Sequence, residues 1–151
     1  MHNRGPSHPP PDHAVPDRAR HHARSSALRE GGLAGEVASA FVRLHHEHFG
    51  RGPAEAHAYV GDAILVCVLS DIYTQSERTM LDLGKREIVR EARLAYQRAV
   101  EAQHSEIVER VTGRRVVSFA GTVTFEPDQA VELFTLGERL APDGERDVSA
   151  A

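Results

Sequence analysis

Histidines form the densest group of side chains that could do chemistry in this sequence. His45, His46 and His48 lie close together, and His57 follows nine residues later. On a helix, His45 and His48 share a face, so with His57 they could supply three ligands to a metal ion. The spacing matches no established zinc motif. Because His48 extends an apolar stripe, we expect it to pack against the core and His45 and His46 to face solvent. A His-based metal-binding protein or enzyme is therefore an alternative interpretation.

Other residue sets that support catalysis are missing from the sequence. It has no glycine-rich dinucleotide motif, phosphate-binding loop, nucleophile elbow or Cys-x-x-Cys pair. The single cysteine, Cys67, lies between Val66 and Val68, where a thiol behaves as a small hydrophobe. The sequence predicts neither an enzyme nor a cofactor.

Arginines follow two glycines at which helical patterns end. Arg51 comes directly after Gly50, and Arg114 and Arg115 come after Gly113. The C-terminal end of a helix carries a partial negative charge, which favours cations and disfavours bound anions. We therefore expect these arginines to complement the helix dipoles, with a ligand or partner contact as the alternative.

The first half of the chain predicts a helix and a hairpin. Apolar residues from Leu33 to His48 follow a 3.6-residue period, which predicts an amphipathic helix that ends at Gly50. Two extended runs follow, Ala56 to Val60 and Ala63 to Leu69. Gly61 and Asp62 between them predict a two-residue type II′ turn.

The second half predicts the same order of elements. Thr74 and Glu77 have the spacing of a capping box, and helical spacing continues to Gly113. One helix of that length would measure about 57 Å, so we expect a break near Gly84. A seam of small residues on this long helix is expected to allow close approach of another helix: Ala92, Ala95 and Ala99.

Strand patterns resume after the long helix. Val117 to Phe125 alternates apolar and polar residues, and Ala130 to Leu136 returns after a predicted type I turn at Glu126 to Gln129. Both halves thus contain, in the same order, a helix, a glycine, an arginine and a hairpin, which indicates a weak αββ repeat. We predict an α+β two-layer sandwich: a four-stranded antiparallel sheet from two αββ units, with a long connecting helix.

Both ends of the chain differ from the body in composition. Residues 1 to 30 contain five prolines, five histidines and five arginines, which predicts a disordered tail. Residues 137 to 151 are predicted to form a flexible C-terminal tail, which leaves 31 to 136 as the folded domain.

Charge and hydropathy exclude two classes of partner. Residues 31 to 151 carry a net charge of −6, which argues against a nucleic-acid-binding surface. The longest apolar run, Ala63 to Leu69, is seven residues, far short of the roughly 18 that span a bilayer. No secretory signal pattern opens the sequence. We expect a cytoplasmic protein without direct membrane insertion.

The strand from Ala63 to Leu69 is apolar on both faces. Helices on one side of the sheet would cover only one of those faces, so the other would form an exposed patch of the kind that marks an interface. We therefore expect a homodimer, formed through either the sheet or the long helix.

Five stretches in order carry a family resemblance. They are Phe49-Gly50-Arg51-Gly52-Pro53, the apolar strand ending at Leu69, the helix start from Thr74 to Arg78, Thr112-Gly113-Arg114-Arg115-Val116, and Val131-Glu132-Leu133-Phe134. Together they resemble the MpsC family, named for a component of a bacterial sodium-translocating, membrane-potential-generating system.

The resemblance covers roughly Leu33 to Leu136, so the domain at 31 to 136 is similar to MpsC. It implies a non-catalytic accessory, regulatory or interaction module, peripheral to the membrane through a partner such as a subunit of a membrane ion transporter. It implies no catalytic residue. A small-molecule sensor that holds its ligand between sheet and helices is a further alternative.

Overall fold

The computed structural model describes residues 17 to 141, with side chains from residue 31 onward. Three helices and four strands follow one another along the chain. They are α1 Asp17–Phe49, β1 Glu55–Val60, β2 Ile64–Ser70, α2 Gln75–Asp82, α3 Arg86–Thr112, β3 Arg114–Phe125 and β4 Asp128–Arg139.

The four strands form one antiparallel sheet with the order β1-β2-β4-β3. Helix α1 packs on β1, α3 packs on β3, and the two helices touch each other. Alternate residues of β2 and β4 are buried beneath them, among them Leu65, Cys67 and Phe134. The predicted α+β fold, a four-stranded antiparallel sheet with α3 connecting its two hairpins, is confirmed.

Local sequence explains where α2 and α3 begin and end. Thr74 Oγ1 accepts a hydrogen bond from the backbone N–H of Glu77 at 3.3 Å, and the Glu77 carboxylate accepts one from the N–H of Thr74 at 2.7 Å. This is the predicted capping box. The helical stretch breaks at Gly84, whose φ of 73° suits glycine, and α3 ends at Gly113 with φ 66°.

The ends of the folded elements differ from the predicted domain limits. Helix α1 begins at Asp17, so residues 17 to 30 of the predicted tail lie within a helix. No proline interrupts the chain between Pro16 and Pro53, which permits this extension. Strand β4 runs to Arg139. The rest of both predicted tails, residues 1 to 16 and 142 to 151, lies outside the described residues, and the division into a domain and two tails stays a prediction.

Both hairpins are confirmed, but both predicted turn types are wrong. The N–H of Gly61 donates to the carbonyl of Ile64 at 2.8 Å, so Asp62 and Ala63 form the turn, and Gly61 lacks the positive φ that a type II′ turn requires. In the second hairpin Phe125 pairs with Asp128, so Glu126 and Pro127 form the turn. The predicted type I turn at Glu126 to Gln129 would instead place Pro127 and Asp128 at its centre.

The alanine seam of α3 is not buried within the chain. Ala92, Ala95 and Ala99 are exposed. The buried face instead mixes valines with polar side chains: Val89, Arg93, Gln97, Val100, His104 and Val108. Polar residues occupy this buried face because most of them find partners inside the fold.

Candidate functional site

His45 and His48 take positions opposite to those predicted, whereas His46 is exposed, as predicted. His45 is 5% exposed, and its Nδ1 lies 3.1 Å from the carbonyl oxygen of Arg51. His48 is exposed, and its Nδ1 shares a hydrogen bond with the hydroxyl of Tyr96 at 2.6 Å. The prediction that His48 packs in the core and His45 faces solvent is wrong. His45 is buried because polar groups inside the fold complete its hydrogen bonds.

The three histidines proposed as metal ligands do not come together. His57 alternates with Ala56 and Ala58, which pack against the core, so its side chain lies on the opposite face of the sheet from His45. Between residues 31 and 141 no group of three or more His, Cys, Asp or Glu side chains could hold a metal ion. The geometry therefore gives the metal alternative no site in this region.

Burial fixes the protonation of His45. Desolvation lowers the pKa of its imidazole to about 4, so the ring is neutral at pH 7. The neutral ring then donates from Nδ1 to the Arg51 carbonyl, while Nε2 accepts from Nη1 of Arg93 at 3.2 Å. This assignment follows from the hydrogen-bond partners.

Arg93 is the centre of the buried polar cluster. Its guanidinium donates to the Glu77 carboxylate at 2.7 and 2.6 Å and to the carbonyl of Ile72 at 2.6 Å, and it stacks 3.9 Å from the ring centre of Phe49. Burial alone would raise the pKa of Glu77, but the hydrogen bonds from Arg93 and from the Thr74 backbone lower it. Arg93 thus joins α3 to α2 and, through His45, to α1.

A second polar group lies deeper, between α3 and the centre of the sheet. His104 and Glu132 are almost fully buried, and His104 Nδ1 lies 2.7 Å from Glu132 Oε2. The amide of Gln97 donates to the carbonyl of Thr122 at 3.3 Å. A cavity of about 10 Å³ lies among these residues, with Phe41 in its wall. A cavity of this size suits about one water molecule and leaves no room for an organic ligand.

The glycines and arginines at the two corners play matching structural roles. Gly50 and Gly113 both adopt left-handed backbone conformations, with φ of 71° and 66°. Arg51 donates to the carbonyl of Tyr73 at 2.5 Å and to the Asp71 carboxylate at 2.7 Å. These two arginine contacts go to the loop after β2, so Arg51 does not act by complementing the end of α1.

Arg114 acts in the same way at the second corner. It donates to the carbonyl of Gly137 at 3.0 and 2.8 Å, and also to the carbonyl of Asp62 in the first hairpin turn. Arg115 is exposed. Thr112 donates to the carbonyl of Val108 at 2.7 Å and accepts from the Arg114 N–H at 3.2 Å. Arg51 thus fastens the first corner to a backbone carbonyl and the Asp71 carboxylate, and Arg114 fastens the second to backbone carbonyls.

The remaining residues of the first corner complete the turn from helix to strand. Phe49 lies half-buried beneath the guanidinium of Arg93. Gly52 and Pro53 follow Arg51 and are also half-buried; a side chain at Gly52 would come within 3.5 Å of Val42. These motif residues shape the corner.

A charged network that the sequence did not reveal lies beside the first corner. The Asp71 carboxylate forms ion pairs with both Arg51 and Arg78, and Arg78 also forms one with the Asp128 carboxylate at 3.1 Å. The hydrogen bond from Arg51 lowers the pKa of Asp71. Because Asp128 lies at the start of β4, the network links the two hairpins.

A protein-family model identifies the family of the chain. A family model described as MpsC, the Na⁺-translocating membrane potential-generating system, matches residues 29 to 138. The chain belongs to the MpsC family. The match extends from within α1 almost to the end of β4, and so includes both αββ units. Comparisons with curated proteins and with solved structures find no match to the chain.

This MpsC chain has no helix between residues 17 and 141 that is long and apolar enough to cross a membrane. Its buried polar residues were missed from the sequence. One pattern could have revealed them: Arg93, Gln97 and His104 share a helical face with valines, and polar residues in a valine face indicate buried partners.

Proposed function

We propose that this MpsC chain is a non-catalytic accessory or regulatory module that acts as a homodimer and associates with a membrane ion-transport system. The observation that carries the proposal is the outer face of the sheet, which no helix of the described region, residues 17 to 141, covers. Family membership supports the membrane association, because the MpsC description names a Na⁺-translocating system.

The outer face is apolar at its centre. Val66 pairs with Leu133 and Val68 with Val131 across β2 and β4, and their side chains alternate with the buried residues beneath the helices. Tyr59 on β1 is 63% exposed and Ile64 on β2 is 44% exposed. A sheet face that met only water would carry polar side chains at these positions. The patch therefore favours a macromolecular contact.

A second copy of the chain suits this face best. Where β2 and β4 pair, the outward positions are all uncharged: Ile64, Val66, Val68, Ser70, Gln129, Val131, Leu133 and Thr135. Two such faces can meet about a two-fold axis without burying an unpaired charge. The two sides of the face are also alike, because β2 and β4 run antiparallel at its centre and each strand contributes valine or leucine side chains.

The inner polar residues support a role without catalysis. Burial strongly raises the pKa of the Cys67 thiol, which keeps it protonated and unreactive. The Arg93 guanidinium is occupied by Glu77, His45 and a backbone carbonyl. A partner in the transport system would hold the chain at the cytoplasmic surface of the membrane.

Light scattering over a wide concentration range tests the homodimer. We expect a dimer mass for the unaltered chain and a monomer mass for Val66→Asp, which places a charge at the centre of the outer face. Ala95→Glu on the exposed face of α3 is the matched control and should remain dimeric. A constant monomer mass at high micromolar concentration would refute the dimer, and dissociation by Ala95→Glu alone would assign it to the helix.

Crosslinking in native membranes tests the association with a transport system. The full chain, carrying a photoreactive side chain at an exposed position of α3, is expected to crosslink to an ion-transport subunit identified by mass spectrometry. A reproducible set of soluble enzymes in place of such a subunit would contradict the proposed association while leaving the dimer intact.

A further inference from the structure

The cavity between α3 and the centre of the sheet is lined in part by buried polar groups, one of which lacks a partner. His104 Nδ1 and Glu132 Oε2 lie 2.7 Å from each other, whereas Gln97 Oε1 has no hydrogen-bond partner among the described residues. All three side chains line the cavity and are no more than 3% exposed. An unpaired buried acceptor is costly, so Gln97 Oε1 beside this cavity indicates a bound group that supplies a hydrogen bond.

The chemistry of the three atoms limits what that group is. His104 Nδ1 and Glu132 Oε2, 2.7 Å apart, serve as partners for each other, and the carboxylate has further lone pairs that accept hydrogen bonds. The Gln97 oxygen is an acceptor only. The cavity therefore calls for a small group that donates hydrogen bonds.

Gly121 leaves space for the side chain of Gln97 beside the cavity. It lies directly opposite Glu132 in the pairing of β3 with β4. A methyl group at Gly121 would come 2.6 Å from Gln97 Oε1, so the amide oxygen occupies the space that a side chain would fill. Residues that face each other across antiparallel strands lie close together, and the side chains of Gln97 and Glu132 both line the cavity.

We propose that this cavity is a binding site for one water molecule. The water donates hydrogen bonds to Gln97 Oε1 and Glu132 Oε2 and so connects α3 to the central strand β4. Its volume of about 10 Å³ matches one water. A monovalent cation fits less well, because the positively charged Arg93 guanidinium lines the same cavity. The site lies within one chain and does not depend on the homodimer.

Oxygen-17 relaxation dispersion, which counts long-lived internal water molecules, tests the site. Gln97→Met removes the acceptor and fills the cavity, so we expect one fewer long-lived water than in the unaltered chain. Gln103→Met, at an exposed position of the same helix, is the matched control and should leave the number unchanged. An equal number of long-lived waters in Gln97→Met and the unaltered chain would overturn the proposal.

Two further measurements keep the test decisive. If Gln97→Met does not fold, Gly121→Ala should displace the Gln97 oxygen into the cavity and expel the same water. Thermal unfolding in lithium, sodium, potassium and ammonium chloride at equal concentration should give one common midpoint. A saturable rise in the midpoint with only one of these cations, absent in Gln97→Met, would overturn the water and assign the site to that cation.

Discussion

The two αββ units share a frame but differ in what they bury. In each, a helix ends at a left-handed glycine and an arginine fastens the corner that follows. Phe41 and His104 both lie nine residues before their glycines, and their rings stack with centres 4.4 Å apart. Equivalent positions of the two units therefore meet at the centre of the domain.

Their cores diverge at those same positions. The first unit contributes apolar Phe41 and one buried polar residue on α1, His45, whereas the second contributes Arg93, Gln97, His104 and Glu132. Its strands β3 and β4 are also longer, with 12 residues each against six and seven for β1 and β2. The two units therefore share a backbone arrangement, but the second carries most of the buried polar residues.

Among substitutions that test this difference, Arg93→Met is expected to reduce the stability of the protein most. It removes the guanidinium that neutralises Glu77 and leaves a buried carboxylate without its partner, which typically costs about 3 to 5 kcal/mol. Urea unfolding should show a decrease of that size in the free energy of unfolding. Arg98→Met, on the exposed face of α3, is the control, and an equally small change in both variants would contradict the central role of Arg93.

The pH dependence of stability isolates the buried histidine of the first unit. Its pKa is lowered from 6.5 to about 4 by burial, so the unfolded chain binds the proton more tightly than the folded one. This contribution to stability is present above pH 6.5 and is lost as the pH falls towards 4, on the order of 2 kcal/mol. Comparing urea unfolding of His45→Gln with the unaltered chain between these pH values measures it.

In His45→Gln the loss of stability between pH 6.5 and 4 should be smaller than in the unaltered chain. His46→Gln, at an exposed neighbouring position, should keep the full slope. If His45→Gln and the unaltered chain lose stability in parallel, His45 is not the group responsible. Because Glu77 also has a lowered pKa, a further loss below pH 4 is expected in all three proteins.

Gly50→Ala and Gly113→Ala test the equivalence of the two corners. Neither added methyl group would meet another atom within 4 Å, so the cost is that of a left-handed backbone alone, about 1 kcal/mol. Thermal unfolding should show nearly equal decreases for the two variants, and alanine at Gly31, which has a negative φ, is the control. Clearly unequal decreases would show that the corners are not equivalent.

Arg51→Met and Arg114→Met are expected to have the smallest effects. Both side chains are partly exposed, and exposed ion pairs and hydrogen bonds contribute about 1 kcal/mol or less. High salt should reduce the effect of Arg51→Met, which loses an ion pair with Asp71, more than that of Arg114→Met, which binds only carbonyl oxygens. An identical response to salt would contradict this assignment of the contacts.

Much of the fold was predictable because its signals are local. The Thr74 capping box, the glycine stops at Gly84 and Gly113 and the period-two pattern of the strands each depend on neighbours within a few residues. The order of these signals was enough to predict two hairpins and one antiparallel sheet. The turn types were not, because Val60 to Leu65 and Phe125 to Asp128 pair in registers that the whole sheet fixes.

Sequence alone thus determined the order of elements, the sheet of two hairpins and the two glycine–arginine corners. Tertiary structure decided which side chains the interior accepts. Whether α1 buries His45 or His48, and whether α3 buries its alanines or Arg93, depends on partners that are distant in the chain: Arg51, Glu77 and Glu132. A polar side chain is buried at low cost only where a hydrogen-bond or ion-pair partner lies beside it, and only the assembled fold brings such partners together.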